Sequence, residues 1–115
     1  MWLGIDPLAT ITPYADRIVH AQAKDIELDP VARNRYGFFG TTAKNGDPWA
    51  TGWWRYRVPG RGQVDWTRVV DRLYEAGFTG TLSVEHEDPL WGGTPEKVCQ
   101  GLTIAHHTLR PLVVA

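Results

Sequence analysis

Polar side chains occupy alternate positions in two short segments of the chain, the spacing that places them on one face of a β-strand. Three of these residues lie in the first segment and three in the second: His20, Gln22 and Lys24, and Ser83, Glu85 and Glu87. Carboxylate, amide and imidazole groups bind metal ions and transfer protons. The opposite faces carry mainly apolar or small residues. Spacing alone slightly favours a solvated face or one satisfied by internal hydrogen bonds. The alternative is a pair of strands whose polar face lines a cavity, as inside a (β/α)8 barrel.

Helices and strands alternate around these two segments. Hydrophobic periodicity and capping residues predict helices over 5–16, 64–78 and 94–109, and strands over 18–24 and 80–88. The helix over 64–78 has the clearest pattern, because apolar residues recur at i, i+3, i+4 and i+7 from Trp66. The order helix, strand, long loop, helix, strand, helix predicts parallel strand pairing and an α/β architecture.

The stretch between Ile26 and Val64 shows no sustained helical period and is expected to be a long loop. An alternative is a hairpin in which Asn45-Gly46 turns the chain between residues 35–39 and 53–57. This stretch is rich in tryptophan. Its aromatic side chains are expected either to form a lid that stacks on a ligand or to pack across the mouth of a barrel.

Composition narrows the class of protein. A chain of 115 residues allows one domain, which we place over residues 1–115. The net charge of −1 gives no general attraction to nucleic acid or to an anionic membrane. The single cysteine, Cys99, excludes an internal disulfide framework. Since residues 1–17 lack the features of a signal peptide and no apolar stretch has the length of a membrane span, we expect a cytoplasmic protein with no nucleic-acid or membrane partner.

Three segments together carry a resemblance to a known family: IVHAQAKD, RYRVPGRGQVDW and YEAGFTGTLSVEHEDPLW. In this order and spacing they resemble the last third of the sugar phosphate isomerase/epimerase family, the xylose isomerase-like TIM barrels. The resemblance covers nearly the whole chain. It implies a partial (β/α)8 TIM barrel, from the sixth helix through the seventh strand, seventh helix and eighth strand to the eighth helix, with a long loop after the seventh strand.

The resemblance also implies a metal-dependent reaction on a sugar or sugar phosphate, in which a proton moves through an enediolate. In that family four side chains hold a divalent metal, and Gln22 and Glu85 match two of them. Glu85 also matches a catalytic carboxylate. An oxygen-rich ligand set favours Mn²⁺ or Mg²⁺ over Zn²⁺. Because the other two ligands belong to strands that have no counterpart here, we expect the chain to be incomplete and inactive alone.

Substrate-binding roles follow from the same resemblance. His20 and Lys24 are expected beside the substrate, together with Arg57, which precedes the Pro59–Gly62 turn; Arg55 is the second choice. An arginine fork suits a phosphate or a polyhydroxylated ligand.

Three further expectations depend on the strands and their ends. Glu87 and Asp88 form a solvated strand end or, alternatively, support Lys24 or Arg57. Two strands taken from a barrel leave unpaired edges, which predicts a homo-oligomer. If the chain is not catalytic, it is a remnant that acts as a binding or interaction module.

Overall fold

The computed structural model describes residues 1–40 and 52–114. Eight regular elements follow one another along the chain: α1 (Pro7–Ile11), β1 (His20–Ala23), β2 (Asp25–Leu28), α2 (Pro30–Tyr36), β3 (Trp54–Arg57), α3 (Trp66–Glu75), β4 (Thr81–Val84) and α4 (Pro95–Leu109). Two 3-10 turns, Thr12–Arg17 and Arg110–Leu112, extend α1 and α4. The predicted first helix is therefore shorter than expected as an α-helix, because Pro13 cannot donate the backbone hydrogen bond that would continue it.

The two strands with alternating polar residues are neighbours. β1 pairs with β4 in parallel, with Gln22 opposite Ser83 and Ala23 opposite Val84. The connection between them includes α3, whose apolar residues pack into a core with Ala23, Ile11 and Leu109. Leu82 and Val84 pack against this core from β4. The predicted parallel pairing is confirmed, with one strand face turned toward the helices.

The stretch from Ile26 to Val64 contains regular structure, so its interpretation as a long loop is wrong. β2 pairs with β3 in an antiparallel sheet, with Asp25 opposite Arg57. Asp29 caps α2 by accepting hydrogen bonds from the backbone N–H groups of Val31 and Ala32, both at 2.9 Å. Strands of four residues are too short to be recognised in the sequence from the alternation of polar and apolar side chains.

The alternative hairpin is also wrong in its pairing. β3 pairs with β2, whereas residues 35–39 include the end of α2 and the segment that follows it. The proposed turn at Asn45-Gly46 lies outside the described residues. The backbone hydrogen bonds along one edge of β3 are thus made to β2, and residues 35–39 take no part in them.

The described part of the chain is a mixed α/β structure with a few short strands. Within residues 1–40 and 52–114 the strands form two separate two-stranded sheets. The described residues therefore do not show the expected partial barrel: they contain one parallel pair with a helical crossover and a separate antiparallel pair. None of the helices in these residues is long and apolar enough to cross a membrane.

Candidate functional site

The polar face of β1 and β4 brings the sequence-predicted residues together. His20 and Gln22 lie on β1, and Lys24 follows the strand directly. The His20 ring nitrogen Nε2 lies 3.0 Å from Ser83 Oγ on β4. The backbone N–H of Glu85 donates to Ala23 O at 3.0 Å, which continues the parallel register one residue past β4. Because strand side chains alternate, Gln22 and Glu85 lie on the same face of the parallel pair, as predicted.

Lys24 is the centre of charge on this face. Its Nζ forms ion pairs with Glu85 Oε1 and, at 2.6 Å, with Glu87 Oε2. The same nitrogen lies 4.1 Å from the centroid of the Tyr56 ring on β3, which adds a cation–π contact. Burial disfavours the charged form, but hydrogen bonds and charge interactions with Glu85 and Glu87 outweigh it and raise the pKa of Lys24 above 10.5. Lys24 is therefore held as an ammonium ion.

Arg57 lies among carboxylates at the end of β3. Its side chain is buried; Nε donates to Asp88 Oδ2 at 2.9 Å, and Nη1 pairs with Glu27 Oε2. Arg55 Nε also donates to Glu27 Oε2, at 2.8 Å. The substrate-binding role of Arg57 remains a prediction. In this arrangement its guanidinium joins β3 to β2 and to the segment after β4.

Asp88 is not a solvated strand end, because only 4% of it is exposed. Oδ2 accepts from the Val58 N–H at 3.0 Å as well as from Arg57, and Oδ1 accepts from the Leu90 N–H at 2.8 Å. Glu87 is more exposed and pairs with Lys24. The alternative interpretation, in which Glu87 and Asp88 support Lys24 and Arg57, describes both contacts.

The buried Asp88 predicts a loss of stability in acid. Burial alone would raise the pKa of Asp88. The hydrogen bonds from Arg57, Val58 and Leu90, together with the charge of Arg57, outweigh burial, and the net pKa is below its ordinary value of 3.8. The carboxylate therefore stabilises the fold at pH above its unfolded-state pKa, and this contribution is lost as the pH falls through the lower folded-state value. We expect Asp88→Asn to cost about 2 kcal/mol at pH 7.

Urea unfolding followed by circular dichroism between pH 7 and pH 2.5 measures this contribution. The difference in unfolding free energy between the wild type and Asp88→Asn should shrink below about pH 4, where the carboxylate of the unfolded chain begins to bind a proton while that of the folded chain stays ionised to lower pH. A difference that stays constant over this range would contradict the assignment of acid sensitivity to Asp88.

Asp25, which was not among the residues predicted for the site, is a buried acceptor for the segment between β3 and α3. It is 1% exposed. Oδ2 accepts from the Gly60 N–H and from Trp66 Nε1, both at 3.0 Å. Oδ1 accepts from the N–H groups of Ile26 and Val64 at 2.8 and 3.0 Å. One sequence pattern could have pointed to Asp25: it is an acidic residue directly after a predicted strand, and a Pro-Gly turn and a tryptophan follow later in the chain.

The turn that Asp25 holds requires glycine at two positions. Gly60 has a φ of +89°, a conformation that side chains rarely adopt. A Cβ at Gly62 would overlap both Asp25 Oδ1 and the backbone oxygen of Ile26. Asp25 thus fixes the connection from β3 to α3, and through it the position of Tyr56 and Lys24.

A cavity of about 330 Å³ is lined mainly by apolar residues, which include Ala21 and Leu82 on the other face of the two strands. It reaches the polar face at Gln22 and Lys24, whereas Glu85 does not line it. Its lining includes Gln22, Lys24, Tyr56 and Trp2. Trp2 stacks on Trp54 with ring centroids 4.7 Å apart and planes 4° from parallel, and Trp54 meets Tyr56 edge to face. The described part of the Trp-rich stretch thus places aromatic rings next to Lys24, whereas Trp49 lies outside the described residues.

The donor atoms on the polar face are of the type that an oxygen-preferring divalent metal binds, but they are too few to hold one. Gln22 offers an amide oxygen and Glu85 a carboxylate, the ligands that Mg²⁺ and Mn²⁺ accept. Within residues 1–40 and 52–114, however, no group of three or more His, Cys, Asp or Glu side chains is placed to hold a metal ion. Glu85 is also already paired with Lys24. A complete metal site therefore needs ligands beyond these two.

Comparisons with known proteins find curated relatives that match three quarters of the chain. No family model matches the chain. Inosose dehydratase from Lacticaseibacillus casei is 32% identical over 90 residues, which are 75% of this chain and 27% of the dehydratase. The rhizopine catabolism protein MocC from Rhizobium meliloti is 36% identical over 89 residues, 75% of this chain and 25% of MocC.

A third relative is similar to the same extent. Inosose dehydratase from Geobacillus kaustophilus is 32% identical over 89 residues, which are 75% of this chain and 26% of that protein. The chain therefore spans about a quarter of the length of the curated relatives it matches.

Proposed function

We propose that this chain is the C-terminal part of a metal-dependent, sugar-processing enzyme of the xylose isomerase-like barrel superfamily. The observation that carries the proposal is the parallel pairing of β1 and β4, which puts Gln22 and Glu85 on one polar face. The similarity to two inosose dehydratases and to MocC supports the same conclusion. In the complete barrel this face would form one side of the site, and the cytoplasm would be its location.

The substrate class is a polyhydroxylated carbonyl compound: a sugar, a sugar phosphate or a cyclic polyhydroxyketone. The proposed reaction is an isomerisation or epimerisation in which a proton leaves the carbon next to the carbonyl and an enediolate forms. A dehydration can begin with the same proton transfer. Glu85 is the proposed base, because its carboxylate lies on the polar face with Gln22 and contacts the ammonium of Lys24.

The other residues of the face would bind and orient this substrate. We propose that His20, whose ring contacts Ser83, and the ammonium of Lys24 would contact hydroxyl or carbonyl oxygens of the substrate. Arg57 would contact an oxygen or phosphate only by giving up part of its pairing with Glu27 or Asp88. The aromatic rings of Trp54 and Tyr56 offer an apolar wall for the carbon skeleton.

A divalent metal, Mn²⁺ or Mg²⁺, would be held partly by Gln22 and Glu85. When bound, it would polarise the carbonyl and stabilise negative charge on the neighbouring oxygens. Since Gln22 and Glu85 are the two metal donors that we propose in the described residues, we propose that the chain alone is inactive. The remaining ligands of the metal would come from the rest of the barrel.

Exposed strand edges lead us to propose that the isolated chain is a homo-oligomer. Within the described residues β1 and β4 pair with each other, so each keeps one edge without a strand partner. Such edges recruit further strands. Light scattering at micromolar concentration should give a mass at least twice that of one chain. A monomer that unfolds cooperatively would contradict this prediction.

The proposed function is tested with a chimera. In the inosose dehydratase from Lacticaseibacillus casei, the segment that matches this chain is replaced by residues 1–115. The chimera should dehydrate inosose at a reduced but measurable rate, and the loss of activity on chelation of divalent metal should be reversed by Mn²⁺. A folded chimera with no activity would contradict the proposal and would favour a binding or interaction module.

A further inference from the structure

We infer that Glu87 is a specificity-determining residue: it keeps the ammonium of Lys24 from binding a phosphate and so restricts the polar face to uncharged polyhydroxylated substrates. The inference rests on the proposed function, and it narrows the substrate class given there by leaving out sugar phosphates. It gives Glu87 a role in substrate choice in addition to its ion pair with Lys24.

The ammonium of Lys24 has little capacity left for an anion. An ammonium has three N–H donors. Lys24 Nζ contacts Glu85 Oε1 and lies 2.6 Å from Glu87 Oε2. The centroid of the Tyr56 ring lies 4.1 Å from the same nitrogen. One N–H therefore remains for a neutral oxygen, whereas a phosphate would meet an ammonium whose charge two carboxylates already balance.

The ion pairs of this region leave an excess of negative charge among the described residues. Lys24 is one cation that pairs with two carboxylates, Glu85 and Glu87. The neighbouring group has two cations and two carboxylates: Arg55 and Arg57, with Glu27 and Asp88. A phosphate group carries a charge of about −1.5 to −2 at pH 7. It would therefore be repelled by the unbalanced carboxylate beside Lys24.

The same two carboxylates can accept hydrogen bonds from hydroxyl groups. A carboxylate has about four acceptor sites. The side chains of Glu85 and Glu87 are 36% and 56% exposed, so a small molecule can reach them. A hydroxyl group of a sugar or cyclic polyol can donate to these oxygens, whereas the oxygens of an ionised phosphate are acceptors. The chemistry of this face thus matches an uncharged polyhydroxylated molecule.

Glu87 is the carboxylate whose removal would open Lys24 to an anion. It lies beyond the end of β4 and is more exposed than Glu85. Without the charge of Glu87, Lys24 keeps Glu85 as an ion-pair partner and regains one N–H for a phosphate oxygen. The proposed base, Glu85, stays in place. Glu87 therefore sets the preference for uncharged substrates.

The test is a titration of the full chain with inorganic phosphate at constant ionic strength, followed by nuclear magnetic resonance at the backbone amides of residues 22–24. The wild type, Glu87→Gln and Glu75→Gln are compared. Glu75→Gln is the matched control, because it removes the same charge from an exposed residue that also pairs with a cation, Arg72. We expect Glu87→Gln to bind phosphate near Lys24 at least about fivefold more tightly than the wild type, and Glu75→Gln to match the wild type there.

Equal phosphate affinity of Glu87→Gln and the wild type near Lys24 would overturn the inference. An equal gain in Glu75→Gln would overturn it as well, because it would show a general effect of net charge. Adding Lys24→Met to Glu87→Gln should abolish the gain, and a gain that persists would contradict the role of Lys24. Glu87→Ser is the second variant if circular dichroism shows that Glu87→Gln does not fold.

The chimera with the dehydratase provides a second readout. Inorganic phosphate should inhibit the chimera that carries Glu87→Gln with an inhibition constant at least about fivefold lower than that of the unsubstituted chimera. Equal inhibition constants would contradict the role of Glu87. An inactive chimera would contradict the proposed function, whereas the phosphate titration of the isolated chain would still decide the role of Glu87. The two failures are therefore distinguishable.

Discussion

Replacement of Asp25 by alanine should cost about 3–5 kcal/mol of unfolding free energy, a large part of the stability of a small domain. Asp25 accepts four hydrogen bonds while almost fully buried. Without the carboxylate, the N–H groups of Gly60 and Val64 and the indole N–H of Trp66 lose their acceptor inside the fold. Each buried donor left without a partner costs about 1–3 kcal/mol.

Urea unfolding followed by tryptophan fluorescence and circular dichroism measures this effect. Asp71→Ala is the matched control, because Asp71 is exposed on α3 and the same atoms are removed. We expect a change of less than about 0.5 kcal/mol in the control. Asp25→Asn should fall between the two, since its amide oxygen can still accept some of the bonds. A loss in Asp25→Ala no greater than in Asp71→Ala would show that the β3–α3 connection is held by other contacts.

The elements that the sequence predicted well are those with local causes. α3 follows from the apolar spacing after Trp66 and from Asp65, whose side chain accepts from the Arg68 N–H at 3.0 Å. α4 begins where Thr94 and Pro95 predict it. The alternation of polar residues placed Gln22 and Glu85 on one face, because alternation in a strand depends only on the local backbone.

The features that the sequence did not predict depend on contacts between distant residues. The pairing of β2 with β3 joins residues about 30 positions apart, through strands of only four residues. The burial of Asp25 follows from the return of the Pro-Gly turn to β2. Arg57 was expected to bind substrate, but the fold brings Glu27 to it, and its contact with Asp88 was expected only as an alternative. Hydrophobic spacing carries no information about such carboxylate partners.

The proposed role of Glu85 predicts the largest effect on activity. In the chimera with the dehydratase, Glu85→Gln should lower kcat/KM by about 10²–10⁴-fold, the range expected when a general base is removed. The glutamine has nearly the same shape but cannot accept a proton at neutral pH. It also removes the negative charge that attracts a metal. Circular dichroism should show an unchanged fold, because Glu85 is partly exposed and packs on the polar face.

The matched control is Glu75→Gln, which makes the same chemical change at the exposed end of α3, where Glu75 pairs with Arg72. The ratio of kcat/KM between Glu85→Gln and Glu75→Gln in the chimera tests most directly whether the polar face of β1 and β4 is a catalytic face. We predict that kcat/KM is at least about 100-fold lower in Glu85→Gln than in the unsubstituted chimera, and nearly unchanged in Glu75→Gln. An active chimera in which the two variants have equal activity would contradict it.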